Sequence, residues 1–451
     1  MKIMIIGLGK VGAALAEQLS AEGHDITVVD KDRSVVTKVT NQWDVRGSIG
    51  NGVSAETQKE AGIQDTDLMI AVTGEDEINL LCCLIAKKLG NCMTICRVRN
   101  PIYHKEVQYL QQELGLALVI NPELTTAKAM ASLLRFPSAI DIDTFARGKI
   151  ELLRFSLSGD SPLVNHQIRD ISSLSSCDVL VCIVERGDRV MIPDGSVELQ
   201  AGDKISVVMS AGNAHKFFEM IHIPNDQVHN TMIVGGGKIS YYLARLLMEM
   251  NISVKIIEKK PDKCADLAEK LPKATIICGD GTNRGLLDEE GIHETEGFAA
   301  LTDMDEENIM LSLYAGKVSS AKTITKISNT SDDPIVDSLN LGSVIYPKNL
   351  VTENIVSFVR ALQNTVGSKV ETMYRLVNGQ AEALEFTIRE ESRVTNIPLA
   401  QLKTRQNLLL CAIYRNNQTI LPRGADTIQV GDRVVVITTN LGLRDIDDIL
   451  A

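Results

Sequence analysis

Several patterns are missing from this 451-residue chain, and each absence excludes a class of protein. No run approaches the roughly 20 apolar residues that a spanning helix needs; apolar stretches such as Val179–Val184 and Val434–Ile437 are short, so no transmembrane helix is expected. Positive charge is scarce: 46 Lys and Arg stand against 58 Asp and Glu, a net charge of −12 without a basic cluster. That balance disfavours nucleic acid and anionic lipid, both of which are held through grouped Lys and Arg. No Cys-x-x-Cys pair occurs among nine cysteines; Cys82 and Cys83 are adjacent, and Cys92 and Cys96 are four apart. Zinc ribbons and thiol-exchange motifs are therefore absent, and most of the cysteines read as reduced core residues of a cytoplasmic protein. Aromatics make up only 4% although 44% of the residues are apolar, which implies a folded chain with aliphatic cores. The apolar opening, Met1 to Ile6, breaks at Gly7 with no small-residue cleavage pattern and reads as a first strand, not a signal peptide.

An internal repeat dominates what is present. Met4-Ile5-Ile6-Gly7-Leu8-Gly9-Lys10-Val11-Gly12 returns as Met232-Ile233-Val234-Gly235-Gly236-Gly237-Lys238-Ile239-Ser240, an offset of 235 − 7 = 228. Val28-Val29-Asp30-Lys31 returns as Ile256-Ile257-Glu258-Lys259 at the same offset. One inserted residue later, at offset 229, Gly50-Asn51-Gly52 matches Gly279-Asp280-Gly281. Thr73, Asp76, Glu77 and Asn79 then match Thr302, Asp305, Glu306 and Asn308, and Arg97 matches Lys326. Further on, Ile192-Pro193-Asp194-Gly195 matches Leu421-Pro422-Arg423-Gly424, and Gly202-Asp203 matches Gly431-Asp432. The chain is a tandem duplication.

Each half begins with short β-branched strands alternating with helical patterns, the rhythm of a parallel sheet covered on both faces. It ends in about 80 residues of strands with turn signals. Four domains follow: 1–135, 136–225, 226–362 and 363–451, with Phe136 to Ile140 and Val359 to Val370 as joints, broken by Pro137 and Gly367.

Gly7-x-Gly9-x-x-Gly12 follows an apolar strand and opens a helix, the context that gives a dinucleotide fingerprint its meaning. Gly7 permits the turn, Gly9 lets backbone approach a pyrophosphate, and Gly12 lets helix pack on strand. Asp30 ends the next strand, 30 − 12 = 18 residues on, placed to accept hydrogen bonds from an adenosine ribose and to repel a 2′-phosphate. NAD is favoured over NADP. The second copy has Ser240 for the third glycine and Glu258 for the acid. Gly50-Asn51-Gly52 and Gly279-Asp280-Gly281 sit at a strand end bordering the same crevice, to meet adenine or ribose or to form a plain turn. Thr73-Gly74 and Thr302-Asp303 follow the fourth strand of each half, to meet the nicotinamide half or to cap the next helix. Arg97 and Lys326, like Lys10 and Lys238, read either as phosphate partners or as solvated surface. His24, His104, His166, His215, His222, His229 and His293 fall at positions the repeat does not share, and none forms a metal or nucleophile motif. No catalytic residue and no metal site are assigned. Cys182 and Cys411 align, 411 − 182 = 229, inside apolar strands.

Together, the duplicated Gly-x-Gly, acid-ended strand, Gly-Asn/Asp-Gly and Thr-x-x-Asp-Glu-x-Asn, each set followed by a small domain, resemble the TrkA family. Its members are peripheral nucleotide-binding subunits of bacterial Trk potassium-uptake systems, with tandem RCK (KTN) domains. The resemblance spans essentially the whole chain. It implies two Rossmann-like doubly wound sheets, each followed by a small α+β ligand-sensing domain, and a homo-oligomeric ring, a tetramer, on the cytoplasmic side of a Trk-type potassium transporter. It also implies no enzymatic activity and NAD(H) in the crevices, with ATP or ADP as the alternative at one or both sites. Carried over by position, the first site comprises Gly7, Leu8, Gly9, Lys10, Val11, Asp30, Asn51, Gly52, Thr73, Gly74 and Arg97. The second comprises Gly235, Gly236, Gly237, Lys238, Ile239, Glu258, Asp280, Gly281, Thr302, Asp303 and Lys326. Two other readings remain at this point: an NAD-dependent dehydrogenase with duplicated halves, and a nucleotide sensor of another cation transporter or channel.

Overall fold

The computed structural model describes every residue except 102, 104, 105, 147, 148, 175–178, 188, 211–213, 222–226, 330–335, 337, 338, 340, 364–369 and 378. The expected break at Gly367, as well as His104 and His222, lies outside the described residues.

The first half opens with β1 (Lys2–Ile6), β2 (Asp25–Asp30), β3 (Arg46–Ile49), β4 (Leu68–Ala71), β5 (Met93–Arg97) and β6 (Leu118–Ile120), a parallel sheet in the order 3-2-1-4-5-6. Every residue of Leu68–Ala71 is buried, as a central strand with helices on both faces requires. Next come β7 (Asp141–Phe145), β8 (Ile150–Ser156), β9 (Val179–Arg186), β10 (Arg189–Met191) and β11 (Lys204–Ser210), an antiparallel sheet in the order 10-9-11-8-7. The second half repeats both. β12 (Asn230–Val234), β13 (Ser253–Glu258), β14 (Thr275–Cys278), β15 (Gly297–Ala300), β16 (Lys322–Lys326) and β17 (Ser343–Ile345) run 14-13-12-15-16-17. β18 (Val370–Leu376), β19 (Ala381–Thr387), β20 (Leu408–Arg415), β21 (Gln418–Ile420) and β22 (Arg433–Thr438) run 18-19-22-20-21.

The halves are interlocked by exchanged helices. Asn121 caps the helix Pro122–Arg135 by accepting from Leu124 N at 2.9 Å, and Pro122 at its start is preset for helical φ. This helix buries Ala127, Met130, Leu133 and Leu134 in a core that includes Ile233, Leu243 and Leu247 of the second half. Reciprocally, the helix Pro347–Gln363 buries Val351, Ile355, Val356 and Val359 against Ile3, Leu15 and Leu19 of the first half. Each fully buried Val, Leu, Ile or Met side chain contributes roughly 1.5–3 kcal/mol, and the two helices carry three and four of them respectively. Arg360 adds a two-pronged ion pair to Glu22, with Nε at 3.1 Å from Oε2. The small sheets also meet, burying Phe145, Leu152, Cys182 and Ile183 against Ala383, Cys411, Val435 and Ile437.

The repeated Gly-Asp pairs prove to be braces within these small domains. Asp203 takes Arg186 Nε and Nη2 at 2.9 and 2.8 Å and Gln200 N at 2.9 Å. Asp432 takes Arg415 and Gln429 in the same way. Among the described residues, no helix is long and apolar enough to cross a membrane.

Candidate functional site

Both glycine loops lie at the carboxyl ends of the central strands, between β1 and the helix Lys10–Ala21 and between β12 and the helix Lys238–Glu249. Gly7 has φ +95°, and a Cβ there would stand 2.8 Å from Thr73 N, so glycine is required on two counts. Gly12 is locked more tightly still: a Cβ would lie 1.9 Å from the Gly7 carbonyl oxygen. Gly9 and Gly237 are different, because a Cβ at either meets no atom within 4 Å. Their missing side chains leave open space in front of the first helical turn, where free N–H groups and the helix dipole favour an anion. That is the cradle a pyrophosphate needs.

Asp30 and Glu258 organise these loops. Asp30 Oδ2 accepts from Leu8 N at 2.7 Å and Oδ1 from Asp32 N at 3.0 Å. Glu258 does the same, with Oε2 on Gly236 N at 2.7 Å and Oε1 on Lys260 N at 2.9 Å. The extra methylene of Glu258 is thus absorbed within the protein, at the cost of deeper burial. Each carboxylate retains lone pairs for a ribose. Ser240, fully buried where the first half has Gly12, donates its hydroxyl to the Gly235 carbonyl, so the contact closed to a methyl group becomes a hydrogen bond.

Asn51 and Asp280 serve their own turns: Asn51 Oδ1 accepts from Val53 N at 3.2 Å, and Asp280 Oδ1 from Thr282 N and Oγ1 at 2.9 and 2.8 Å. Gly52 and Gly281 pack so closely that a Cβ would stand 2.3 Å from Ile6 Cγ2 and from Val234 Cγ1.

Thr73 and Thr302 neither cap a helix directly nor point free. Asn79 Oδ1 takes Thr73 N and Oγ1 at 2.7 and 2.8 Å while its Nδ2 donates to Arg97 O at 3.0 Å. Asn308 repeats the clamp on Thr302 and Lys326 at 2.8, 2.9 and 3.0 Å. Asp76 receives Arg99 N and Asn100 N at 2.9 and 2.7 Å, as Asp305 receives Ser328 N and Asn329 N. The sequence reading did not place these four side chains in the site; polar residues conserved between the two copies at helical core positions were the available signal. They fix the ends of the fourth and fifth strands of each half.

Arg97 and Lys326 are not solvated surface groups. Arg97 Nη2 donates to Thr73 O, and its Nε is buried without a partner among the described residues. Burial, then repulsion from Arg99, lowers its pKa. Lys326 is 8% exposed; burial pulls it down, Asp303 and Asp305 oppose that, and Lys10 from the other half adds repulsion. Lys238 in turn acts on Glu77 of the first half, whose carboxylate takes the Tyr103 hydroxyl at 2.6 Å. The charge of each glycine-loop lysine is thus felt by a group of the other half. Tyr242 adds a direct link, accepting from Asn121 Nδ2 at 2.9 Å and donating to Arg99 O at 3.3 Å.

Two Rossmann-like sheets, each followed by a small antiparallel sheet domain and interlocked within one chain, define the class of tandem TrkA-N and TrkA-C proteins. Residues 3–122 and 231–347 match the TrkA-N domain, and residues 152–222 and 383–451 match the TrkA-C domain. Over 449 residues the chain is 33% identical to Trk system potassium uptake protein TrkA homolog 1 of Methanosarcina mazei, covering 97% of each. The solved GsuK channel bound to NAD is similar at TM-score 0.64 and 15% identity, over 97% of this chain and 77% of that one. GsuK bound to ADP is similar at TM-score 0.50 and 14% identity, over 80% and 69%. At those identities the likeness to GsuK speaks for the fold. The chain belongs to the TrkA family of potassium-uptake proteins.

Proposed function

We propose that this protein is a non-enzymatic regulatory subunit that binds NAD(H) in its first crevice and gates a Trk-type membrane potassium transporter through the shape of a ring of RCK domains. The observation that carries the reading is the pair of open pyrophosphate cradles at Gly9 and Gly237, each beside an acid whose carboxylate holds the loop. Each crevice holds its nucleotide through the residues the repeat carries to it, from Gly7 to Arg97 in the first and from Gly235 to Lys326 in the second. The second crevice differs at Ser240, Glu258, Asp303 and Lys326, and takes NAD(H) more weakly or an adenine mononucleotide, ATP or ADP. Because the halves are joined through the exchanged helices, a ligand that prefers one relative placement of the halves biases the whole chain. Coupling of about 1–3 kcal/mol, or 5- to 150-fold, is the usual scale for such a device.

Leu81 and Leu84 on the helix Asp76–Gly90 and Met304 and Met310 at the helix Asp305–Val318 are 45%, 38%, 53% and 57% exposed, apolar side chains suited to packing between chains. Four two-repeat chains close a ring of eight Rossmann units on the inner face of the membrane. Calorimetry with NADH and light scattering test this reading together. It expects two classes of site without substrate turnover, and a tetramer. Hydride transfer to a metabolite, or a stable monomer at micromolar concentration, contradicts it.

A further inference from the structure

The second half carries a pair of thiols beside its crevice that the first half lacks. Cys278 ends β14 immediately before Gly279-Asp280-Gly281, is the exposed member of the described cysteines, and is the register partner of Glu258. Cys264 is buried on the helix Pro261–Lys270 and donates its thiol to the Glu258 carbonyl at 3.1 Å. The same carbonyl accepts Gly279 N at 2.9 Å, so the Cys264 thiol and the backbone that follows Cys278 meet at one peptide group, that of the acid holding the glycine loop. Burial, then the neighbouring Cys278 thiol, pushes Cys264 up to about 11. At the corresponding positions, 264 − 228 = 36 and 278 − 229 = 49, the first half has Val36 and Ile49. The remaining described cysteines, Cys82, Cys83, Cys92, Cys96, Cys182 and Cys411, are all buried.

We propose that Cys264 and Cys278 form a reversible disulfide by exchange with a low-molecular-weight disulfide, and that its formation weakens adenine-nucleotide binding in the second crevice. The regulatory part rests on the reading of that crevice given above. Exposure sets the order of events. The Cys278 thiolate attacks one sulfur of the small disulfide, forming a mixed disulfide and releasing the first small thiolate. Cys264 then gives up its proton and attacks the Cys278 sulfur, expelling the second. Two protein thiols are oxidised, one small disulfide is reduced to two thiols, and the two protein protons end on those thiols. Closing the bond removes the Cys264 proton from the Glu258 carbonyl and ties the helix Pro261–Lys270 to the end of β14. The strain falls on Glu258, and through Glu258 on Gly236 N and Lys260 N. A loss of about tenfold in affinity sits within the usual coupling range. By reciprocity, saturating nucleotide favours the dithiol by the same factor and raises its midpoint potential by about 30 mV.

The test uses the full chain carrying Gly9→Ala to silence the first crevice, equilibrated in glutathione and glutathione disulfide mixtures. Peptide mass mapping reads the bond, and calorimetry with ADP and with NADH reads the site. The expected result is a Cys264–Cys278 linkage, about tenfold weaker binding that dithiothreitol reverses, and a potential that rises on adding nucleotide. Cys278→Ser, and Cys264→Val with Cys278→Ile copying the first half, are expected to bind equally in both buffers. A lasting mixed disulfide on Cys278 alone overturns the proposed bond. A mapped bond without change in affinity or potential overturns the regulation. If the reduced chain binds neither nucleotide, the reading of the second crevice falls, and the regulation with it, while the peptide map still decides the bond.

Discussion

Replacing Gly9 by alanine separates ligand space from folding space in the first crevice. Gly9 has φ −66° and ψ −171°, a conformation open to any L-residue, and its Cβ meets no atom within 4 Å. The entropic gain of about 0.4–1 kcal/mol from Gly to Ala is roughly offset by the loss of glycine at a helix N-cap, so the free protein is expected to shift by less than about 1 kcal/mol. Gly12→Ala is the contrast, because its Cβ lies 1.9 Å from the Gly7 carbonyl and forces the helix off the strand, at about 1–3 kcal/mol or more. For the ligand the ranking is reversed. A methyl group at position 9 occupies the pyrophosphate cradle and disrupts at least one charged hydrogen bond, about 1.5–3 kcal/mol, or roughly 10- to 150-fold in NADH affinity. Urea midpoints and a fluorescence titration with NADH measure the two effects. The reasoning is refuted if Gly9→Ala destabilises as much as Gly12→Ala, or if its NADH affinity is unchanged.

Asp30→Ala removes the acceptor of two backbone N–H groups as well as the ribose partner, so it is expected to lower stability by roughly 1–3 kcal/mol and NADH affinity by about 10- to 150-fold; an unchanged melting point removes Asp30 from loop support, and an unchanged affinity removes it from the ribose. Arg360→Met leaves the half-buried Glu22 carboxylate unpaired between the halves, an expected loss of about 1–3 kcal/mol that Glu22→Gln in the same chain partly relieves; urea midpoints of the single and double variants check it. Lys322 Nζ donates to Ala139 O at the joint between the first two domains, and burial pulls this lysine down to about 8 against the opposing pull of Asp141. Between that value and the unfolded value near 10.5 the unfolded chain binds more protons, so stability is expected to rise with pH over that window relative to Lys322→Met, by up to about 3 kcal/mol, in thermal melts from pH 7 to pH 10.5.

The glycine loops, their acids and the strand order around them were legible because each depends on local sequence: Gly7 on a positive φ, Asp30 on the end of an apolar strand, Leu68–Ala71 on burial from both faces. The repeat doubled every such signal. The helix exchange was not legible. The apolar stripe of Pro122–Arg135 states that one face is buried but not against what, and only the fold shows Met130 and Leu134 beside Leu243 and Leu247. The roles of Asn79 and Asp76 were hidden for a related reason: sequence gives their helical spacing, while their partners Thr73, Arg97 and Arg99 come from the ends of other strands. Arg97 and Lys326 read equally as phosphate partners or as surface groups in sequence; the burial of Lys326 and of Arg97 Nε is set by strand ends that sequence does not bring together.

The central claim, that nucleotide in these crevices sets the activity of a potassium transporter, is tested most directly by potassium flux into proteoliposomes. These would hold the Trk-type membrane subunit from the same source, with wild-type or Gly9→Ala chain added and NADH titrated. Flux is expected to require this chain, to change with NADH over the range in which the first crevice fills, and to lose that response in Gly9→Ala. Flux indifferent to the chain, or a response to NADH that survives Gly9→Ala intact, would contradict it.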